Sequence, residues 1–416
     1  MPRLLSLAVL TLALSPLSAA DPIAFGPDDW PWWRGPNRDG HADPKQQIPL
    51  EWSETKNVVW KAPVPGRGHG SPCVVGRHVY LASADMQNQV QSVHCFDRAT
   101  GKELWKTDVH KGGLKQDRNV KSSLASCTPA CDGQRVFVNF LNNDAVYATA
   151  LDLTGKQLWQ ERIDDYVNHQ GFGASPAVYG PLLLVAVDHK GGGALAGLDR
   201  ETGKAVWTRP RAKVPNYSSP IVLKLNGKDQ LILTGTDLVT SLDPLTGKEN
   251  WEVKGATTEC VTSTITDGTH VFTSGGYPKN HVAAVKADGS GKVAWENGTR
   301  VYVPSMLVKD GHLFAVQDAG TAVCWASATG KEVWSGRLRG TFSSSPVLVG
   351  EHILATNEAG RTFVFKASLK GLEVVAENQL GDDAFATPTV CGGRIYHRVA
   401  TVGKGSRQEW LYCLGR

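Results

Sequence analysis

The chain has 416 residues and a formal net charge of +4, with 44 glycines, 13 tryptophans and only 3 methionines. A chain of this length holds two or three average domains or one large repeat fold. A charge this small for the size gives no basis for nucleic acid or an anionic membrane as the main partner.

The first 20 residues have the pattern of a secretory signal. Arg3 supplies the positive charge, residues 4–14 form a short apolar run, and Ser18-Ala19-Ala20 is a small-residue cleavage site. The apolar run is too short to span a membrane, and no later run reaches spanning length. We therefore expect an exported protein, periplasmic or secreted, that is cleaved near Ala20 and has no membrane span.

Residues 21–55 form an arm rich in tryptophan, centred on the stretch DDWPWWRGPNRDG from Asp28 to Gly40. Trp30, Trp32 and Trp33 are expected to pack on the body of the fold, because a solvated loop gains nothing from three large apolar rings. Two alternatives stay open for this arm. It can lie over one mouth of a channel, or it can bind a partner.

From residue 56 to residue 416, a phrase resembling Asp-x-x-Thr-Gly-Lys-x-x-Trp recurs about every 45 residues, a spacing typical of propeller blades. Asp and Thr favour a turn and Gly supplies positive φ, so each phrase predicts a hairpin between the third and fourth strands of a blade. We interpret the tryptophans as structural side chains that cover the gap between neighbouring blades. They are Trp60, Trp105, Trp159, Trp207, Trp251, Trp295 and Trp334.

A second pattern precedes the phrases: Ser-Pro or Thr-Pro, an apolar run, a Gly turn and another apolar run, as in SPCVVGRHVYLAS. Continuous apolar runs are typical of strands that are buried on both faces. Eight such starts occur, at Pro72, Pro129, Pro176, Pro220, Thr264, Met306, Pro346 and Pro388. The unit 386–416 has three predicted strands, and NVVWKAPV around Trp60 supplies its fourth. The sequence thus predicts an all-β, eight-bladed propeller over residues 56–416, closed by an N-terminal strand.

The eight cysteines form no CxxC or adjacent pair. Buried core thiols are the simpler interpretation. Disulfides between neighbouring segments stay open as an alternative, because export would permit them.

The TGKxxW phrase resembles the repeat of pyrroloquinoline-quinone (PQQ) propellers, a superfamily that includes quinoprotein alcohol dehydrogenases and BamB-type assembly factors. The chain is similar to exported proteins with PQQ-binding-like β-propeller repeats of planctomycete-type bacteria. That similarity rests on WPWWRGPNRDG followed by GRGHGSP, HQGFGASP and VPSM. The resemblance implies the propeller fold from Lys56 to Arg416. It does not decide the function, because one fold hosts many functions.

The sequence contains no GxSxG, HExxH, phosphate-loop or zinc-type CxxC motif. The resemblance to the dehydrogenases implies a quinone site with an adjacent Cys-Cys pair, calcium ligands from Glu and Asn, and a catalytic Asp. No Cys-Cys occurs here, and the other residues find no matching positions. We therefore expect no catalytic residue, no metal site and no cofactor, with PQQ and calcium as the alternative.

Loops that enter the first strand of each blade converge on one mouth of the central channel. Polar and aromatic side chains that converge on a cleft are the default hypothesis for a ligand site. Each of them can instead satisfy backbone groups at the rim. The candidates are Arg67, His69, Asn119, His169, Gln170, Asn216, Tyr217, Tyr302, Phe342 and Asp383.

These patterns favour an exported, non-catalytic, BamB-like propeller. We expect a monomer that binds a protein, a peptide or a small ligand at the channel face. The alternatives are a PQQ-dependent quinoprotein oxidoreductase and a carbohydrate-active propeller enzyme. The second of these needs a pair of carboxylates that the sequence alone does not reveal.

Overall fold

The structure is a computed structural model that describes residue 23 and residues 25–116, 119–403 and 406–416. The predicted signal segment, residues 1–20, lies outside the described residues. The described residues form 32 strands and no helix. Within these ranges the chain therefore contains no helix long and apolar enough to cross a membrane.

The first four blades are antiparallel sheets in which strands consecutive in sequence are hydrogen-bonded neighbours. One strand, β1 (Val58–Val64), precedes them. Blade 1 is β2 (Cys73–Val75), β3 (His78–Asp85), β4 (Val90–Asp97) and β5 (Glu103–Lys111). Blade 2 is β6 (Ala130–Cys131), β7 (Arg135–Asn142), β8 (Ala145–Asp152) and β9 (Gln157–Asp165). Blade 3 is β10 (Ala177–Tyr179), β11 (Leu182–His189), β12 (Gly192–Asp199) and β13 (Ala205–Pro210), and blade 4 is β14 (Ile221–Leu225), β15 (Lys228–Gly235), β16 (Leu238–Leu242) and β17 (Glu249–Lys254).

The remaining four blades complete the predicted architecture. Blade 5 is β18 (Ile265–Thr266), β19 (His270–Gly275), β20 (His281–Lys286) and β21 (Val293–Asn297). Blade 6 is β22 (Leu307–Lys309), β23 (His312–Val316), β24 (Thr321–Ala326) and β25 (Glu332–Arg337). Blade 7 is β26 (Val347–Val349), β27 (His352–Thr356), β28 (Arg361–Lys366) and β29 (Val374–Gln379), and blade 8 is β30 (Thr389–Cys391), β31 (Arg394–Gly403) and β32 (Ser406–Leu414) with β1. The all-β, eight-bladed propeller predicted from the sequence is therefore confirmed.

Burial along the strands follows the apolar patterns. All eight residues of β11, with the sequence LLLVAVDH, are buried. The fourth strand β13 instead alternates between exposed and half-buried residues. The inner strands are covered by neighbouring blades on both faces, whereas the fourth strands lie at the perimeter with one face in water.

The turn between the third and fourth strands of blade 1 has the chemistry that its phrase predicts. One carboxylate oxygen of Asp97 accepts hydrogen bonds from the backbone N–H and the hydroxyl of Thr100, at 2.9 and 2.8 Å. Gly101 then adopts a φ of 71°, a conformation that glycine reaches without strain. Asp199 and Asp243 hold the corresponding turns of blades 3 and 4 in the same way.

Seven of the eight fourth strands carry a tryptophan, and the fourth strand of blade 7, with the sequence VVAENQ, has none. Six indole N–H groups donate to carbonyls of the corresponding turn of the next blade: Trp60 to Arg98, Trp105 to Leu153, Trp159 to Arg200, Trp207 to Pro244, Trp295 to Ser327 and Trp334 to Ser368. The indole of Trp251 donates instead to Gln230 of its own blade. The six bonds to turns therefore link neighbouring blades at six of the eight blade boundaries.

The ring closes where β1 pairs with β32. The two strands run antiparallel, with Trp60 opposite Cys413 and Val64 opposite Glu409. The N-terminal strand therefore supplies the fourth strand of blade 8, as predicted. Closure of this kind leaves no gap between the first blade and the last.

All eight cysteines lie in described residues and are buried and free. They therefore occur as the core thiols that the sequence favoured. Burial in apolar surroundings raises the pKa of Cys95, Cys131 and Cys324 to about 12. These thiols are thus neutral and unreactive near neutral pH.

Candidate functional site

A belt of hydroxyl groups surrounds the central channel. Its members are the Ser or Thr residues that stand two positions before the first strands, such as Ser71 and Thr128. Six hydrogen bonds of 2.9–3.0 Å run from a backbone N–H of one blade to the hydroxyl of the next: Ser71 to Thr128, Thr128 to Ser175, Ser175 to Ser219, Ser263 to Ser305, Ser305 to Ser345 and Ser345 to Thr387. These hydroxyls join neighbouring blades around the channel.

The N-terminal arm crosses one end of this channel. It forms backbone hydrogen bonds with the first strands of three blades, at Val74, Cys131 and Leu348, and Arg38 donates to the carbonyl of Val178 in a fourth. Each of these four residues lies three positions after the belt residue of its blade. The arm therefore covers the end of the channel opposite to the loops that enter the first strands.

Buried side chains fix the arm in place. Trp30 and Trp32 are 2% and 4% exposed, and the guanidinium of Arg38 lies 4.2 Å from the centre of the Trp32 ring. Arg34 is buried and donates to the carbonyls of Asp39 and Met306. Burial lowers the pKa of Arg34 to about 10, so it stays charged at neutral pH.

Trp33 lies at the floor of the central cavity. Its indole N–H donates to the hydroxyl of Ser263, a belt residue, at 2.8 Å. Trp33 also lines a cavity of about 650 Å³, together with residues of the loops that enter the first strands. Because the arm covers the opposite end, we describe this cavity as blind.

Six of the ten candidate residues line this cavity: His69, Asn119, His169, Gln170, Tyr217 and Tyr302. The ring of His69 is stacked on Phe385, with ring centres 4.4 Å apart. Burial lowers the pKa of His69, and the charges of Arg67, Arg398 and Arg407 act in the same direction. The imidazole is therefore neutral at physiological pH and forms part of an uncharged wall.

The opposite wall carries a carboxylate. Glu259 is 8% exposed, and its Oε1 lies 3.8 Å from Nε2 of His169. Burial raises the pKa of Glu259, while His169, Lys190 and the hydroxyl of Tyr302 act to lower it. Burial followed by the charge of Glu259 raises the pKa of Tyr302 to about 12. This tyrosine is therefore a neutral hydrogen-bond donor at physiological pH.

The other four candidates lie outside the cavity lining. Asn216 is buried in the wall, where its amide donates to Asp188 and the carbonyl of Thr234, and its oxygen accepts from Cys260. Phe342 is 1% exposed in the core. These two side chains therefore pack within or between blades and do not face the channel.

Arg67 and Asp383 lie at the outer rim. Arg67 pairs with Ala84 and directs its guanidinium toward the carbonyl of Val120. Asp383 forms an ion pair with Arg407. Both side chains are therefore engaged with neighbouring rim groups.

Sequence reasoning missed several lining residues, and a register rule would have found some of them. The residue two positions before each belt residue lines the cavity in all eight blades: His69, Ser126, Gly173, Tyr217, Val261, Val303, Ser343 and Phe385. Phe385 thus occupies the position in blade 8 that His69 occupies in blade 1. Trp33 and Tyr277 follow no such rule, because the arm and a longer loop bring them to the cavity.

Residues 89–277 and 278–374 match the family described as "Outer membrane protein assembly factor BamB". The match covers more than half of the chain. The chain belongs to the BamB family. The predicted similarity to BamB-type propellers is therefore confirmed.

Curated relatives of known name support the assignment over most of the sequence. The outer membrane protein assembly factor BamB of Burkholderia pseudomallei is 26% identical over 384 residues, which cover 84% of this chain and 91% of that protein. A polyvinylalcohol dehydrogenase from a Pseudomonas species is 26% identical over 196 residues. That second match spans 44% of this chain and only 29% of the dehydrogenase.

Solved structures of a BamB protein and of a quinohemoprotein dehydrogenase share the fold of this chain. BamB from Moraxella catarrhalis has a TM-score of 0.59 at 14% identity, over 85% of this chain and 96% of that one. The quinohemoprotein alcohol dehydrogenase of Comamonas testosteroni has a TM-score of 0.66 at 14% identity, over 94% of this chain and 81% of that one. At these identities the likeness concerns the fold alone.

The cavity residues do not fit a calcium-dependent quinone site. Calcium takes six to eight oxygen ligands, usually including several carboxylates. The described lining has one carboxylate, Glu259, and no cluster of three potential metal-binding side chains occurs in the described parts of the chain. Lys121, a cation at the cavity wall, already pairs with Glu358 at 2.8 Å.

Proposed function

We propose that this BamB-family propeller is a non-catalytic binding protein that receives a peptide segment or a small ligand in the cavity above Trp33. The observation that carries the proposal is the blind cavity. Its floor is an aromatic ring anchored to Ser263, and its walls combine aromatic, amide and charged side chains. A concave site of this composition can surround one ligand group on several sides.

The lining favours binding over hydrolysis. A glycoside hydrolase needs two carboxylates on either side of the bond that it cleaves. Glu259 is the single carboxylate among the described lining residues. Several belt hydroxyls are hydrogen-bonded to backbone N–H groups of the neighbouring blade, so they serve the scaffold.

The proposed setting is outside the cytoplasm. The charged residue, apolar run and cleavage site of residues 1–20 support export. The name of the Burkholderia relative, which refers to assembly of outer membrane proteins, is consistent with a protein partner in that compartment. We propose a monomer that presents the loop face of the propeller to its partner.

Gly173 offers a direct test, because it lines the cavity. A Cβ at this position would meet one heavy atom within 4 Å, the Cβ of Ser126 at 3.8 Å. Gly173→Phe is therefore expected to fill the cavity and leave the fold intact. Gly298→Phe is the matched control, because Gly298 has open space around it and lies outside the lining.

The measurement is saturation-transfer NMR with a library of short peptides and polar fragments. We expect ligands that bind the wild type and the Gly298→Phe variant and are lost in Gly173→Phe. Ligands that are unaffected by Gly173→Phe would place binding elsewhere and contradict the proposal. Saturable binding of PQQ with calcium, accompanied by dye-linked alcohol oxidation, would make the protein an oxidoreductase instead.

A further inference from the structure

Glu259 stands apart from the other charged groups of the cavity because it is a carboxylate in an aromatic wall. Its backbone pairs with Tyr277 in an isolated β-bridge, and its N–H donates to the Tyr277 carbonyl at 3.4 Å. Tyr217, Tyr302 and His169 line the same cavity. These four aromatic side chains, among others of the lining, share one cavity with this carboxylate.

The positive groups of the protein leave Glu259 incompletely neutralised. Among the ion pairs of the described residues, Glu259 pairs with His169 at 3.8 Å, which is longer than a good charge-assisted hydrogen bond. The charge of Lys190 acts on Glu259 from farther away. Arg300 packs over the Tyr302 ring at 5.0 Å and donates to the carbonyl of Gly276, so its guanidinium is engaged there.

The tyrosines complete a site for a positive charge. Aromatic faces attract cations through their quadrupole, most strongly where water is excluded. Burial raises the pKa of Glu259, and the hydroxyl of Tyr302 acts in the opposite direction because it favours the ionised carboxylate. A carboxylate and aromatic rings in one partly desolvated pocket attract cations more strongly than either group alone.

We propose that the wall formed by Glu259, Tyr217, Tyr277 and Tyr302 binds an ammonium group of the ligand. This inference rests on the proposed binding function and names its chemistry. The ammonium group belongs either to a lysine side chain of a peptide or to a free alkylammonium compound. Both present a cation on an apolar stem, which suits a blind cavity with an aromatic lining.

The proposal has a definite pH dependence. Glu259 must be ionised to bind a cation, and burial raises its pKa from the ordinary value of 4.5. Affinity is therefore expected to fall as the pH drops through this raised pKa. The titratable and charged groups that act on Glu259 are His169, Lys190, Tyr217 and Tyr302.

Isothermal titration calorimetry of the mature protein is the test, with tetramethylammonium, N-acetyl-lysine amide and glutarate as probes. We expect the two cations to bind and glutarate not to bind. Glu259→Gln is expected to weaken cation binding by about tenfold or more, because it removes the charge and keeps the shape. Glu296→Gln is the control, since Glu296 lies in the same blade with a side chain that is 63% exposed.

The outcomes separate the two proposals. Stronger binding of N-acetyl-lysine amide than of tetramethylammonium would identify a peptide lysine as the source of the cation. Unchanged cation affinity in Glu259→Gln would overturn the ammonium site. If neutral or anionic ligands bind in a manner that Gly173→Phe abolishes and both cations fail, the ammonium site is wrong and the binding function stands. If no probe of any charge binds in the cavity, both proposals fail.

Discussion

The indole N–H of Trp33 donates to the hydroxyl of Ser263 at 2.8 Å, although 230 positions separate these two residues in sequence. This bond joins the N-terminal arm to the hydroxyl belt at the floor of the cavity. The arm therefore stabilises the propeller and forms part of the candidate site at once. The arm thus packs on the body of the propeller, as expected, and it also covers one mouth of the channel, which was the alternative.

Substitution of Trp33 tests this dual role. Trp33→Phe removes the hydrogen bond and is expected to lower the free energy of unfolding by about 1 kcal/mol. Trp33→Ala also removes the ring and is expected to lower it by about 3 kcal/mol. Urea unfolding measures both. Trp410→Phe is the control, because its indole bond to Thr401 is exposed and its loss should change little. An unchanged free energy of unfolding in Trp33→Ala would contradict the assigned role of the arm.

Alanine substitution at two glycines of blade 4 distinguishes the cost of backbone strain from the cost of a clash with a tryptophan ring. Gly247 and Gly227 both have positive φ, at +67° and +76°. A Cβ at Gly247 would lie 2.5 Å from the Trp207 ring, whereas a Cβ at Gly227 would meet nothing within 4 Å. Gly227→Ala is expected to cost about 1 kcal/mol of strain. Gly247→Ala should cost about 1–3 kcal/mol more, because the blade contact must open.

Thermal unfolding of the two alanine variants provides the comparison. Equal melting temperatures would show that the Trp207 contact yields without cost. Such a result would contradict the structural role assigned to the tryptophans of the fourth strands.

The ion pair between Arg200 and Asp132 lies in the interior at 2.6 Å, with both side chains no more than 1% exposed. Arg200→Met is expected to cost about 1–3 kcal/mol, because the buried carboxylate loses this charge-assisted hydrogen bond and keeps its ion pair with Arg135 at 3.1 Å. The exposed pair of Arg162 with Asp165 provides the matched control. Arg162→Met should change the free energy of unfolding by less than about 1 kcal/mol. Chemical denaturation of both variants checks the contrast, and similar losses would contradict it.

His397 is fully buried, and burial lowers its pKa from 6.5 to about 4. Below pH 6.5 the unfolded chain binds a proton at this residue that the native state does not bind, so stability falls as the pH drops toward 4. The expected loss across this window is about 3 kcal/mol.

Replacement of His397 by Leu should remove this part of the pH dependence. His312→Leu is the control, because His312 is a partly exposed histidine whose ring bonds the carbonyl of Asp310. Urea unfolding at a series of pH values provides the measurement. Parallel curves for the wild type and the His397→Leu variant would exclude the assigned titration.

The sequence predicted the blades because their signals are local. The Asp, Thr and Gly of a turn such as Asp97 to Gly101 act within a few residues, and the apolar runs fix which strands are buried. The closing strand was predictable for a related reason, since blade 8 lacked one strand and β1 lacked a partner. Repetition strengthens such signals, because the same pattern of turn residues and apolar runs recurs in successive blades.

The candidate site was predictable only in part. His69 and Tyr217 reach the cavity because they stand two positions before the belt, a register that the Ser-Pro and Thr-Pro starts define. Asn216 lies one position earlier and turns into the wall, where it satisfies backbone groups. The position of Trp33 depends on contacts between the arm and five or more blades, which no local pattern encodes. Long-range contacts of this kind separate the observed site from the predicted one.

The pairing of β1 with β32 also sets an order of events for the growing polypeptide. β1 ends at Val64 and β32 begins at Ser406, so a ribosome must add all the residues of seven blades between them before these strands can meet. Until then blade 8 lacks an edge, and the arm has no finished ring to cross. The ring therefore closes late in synthesis. A chain that lacks β32 also leaves β1 without its pairing partner, so the ring cannot close.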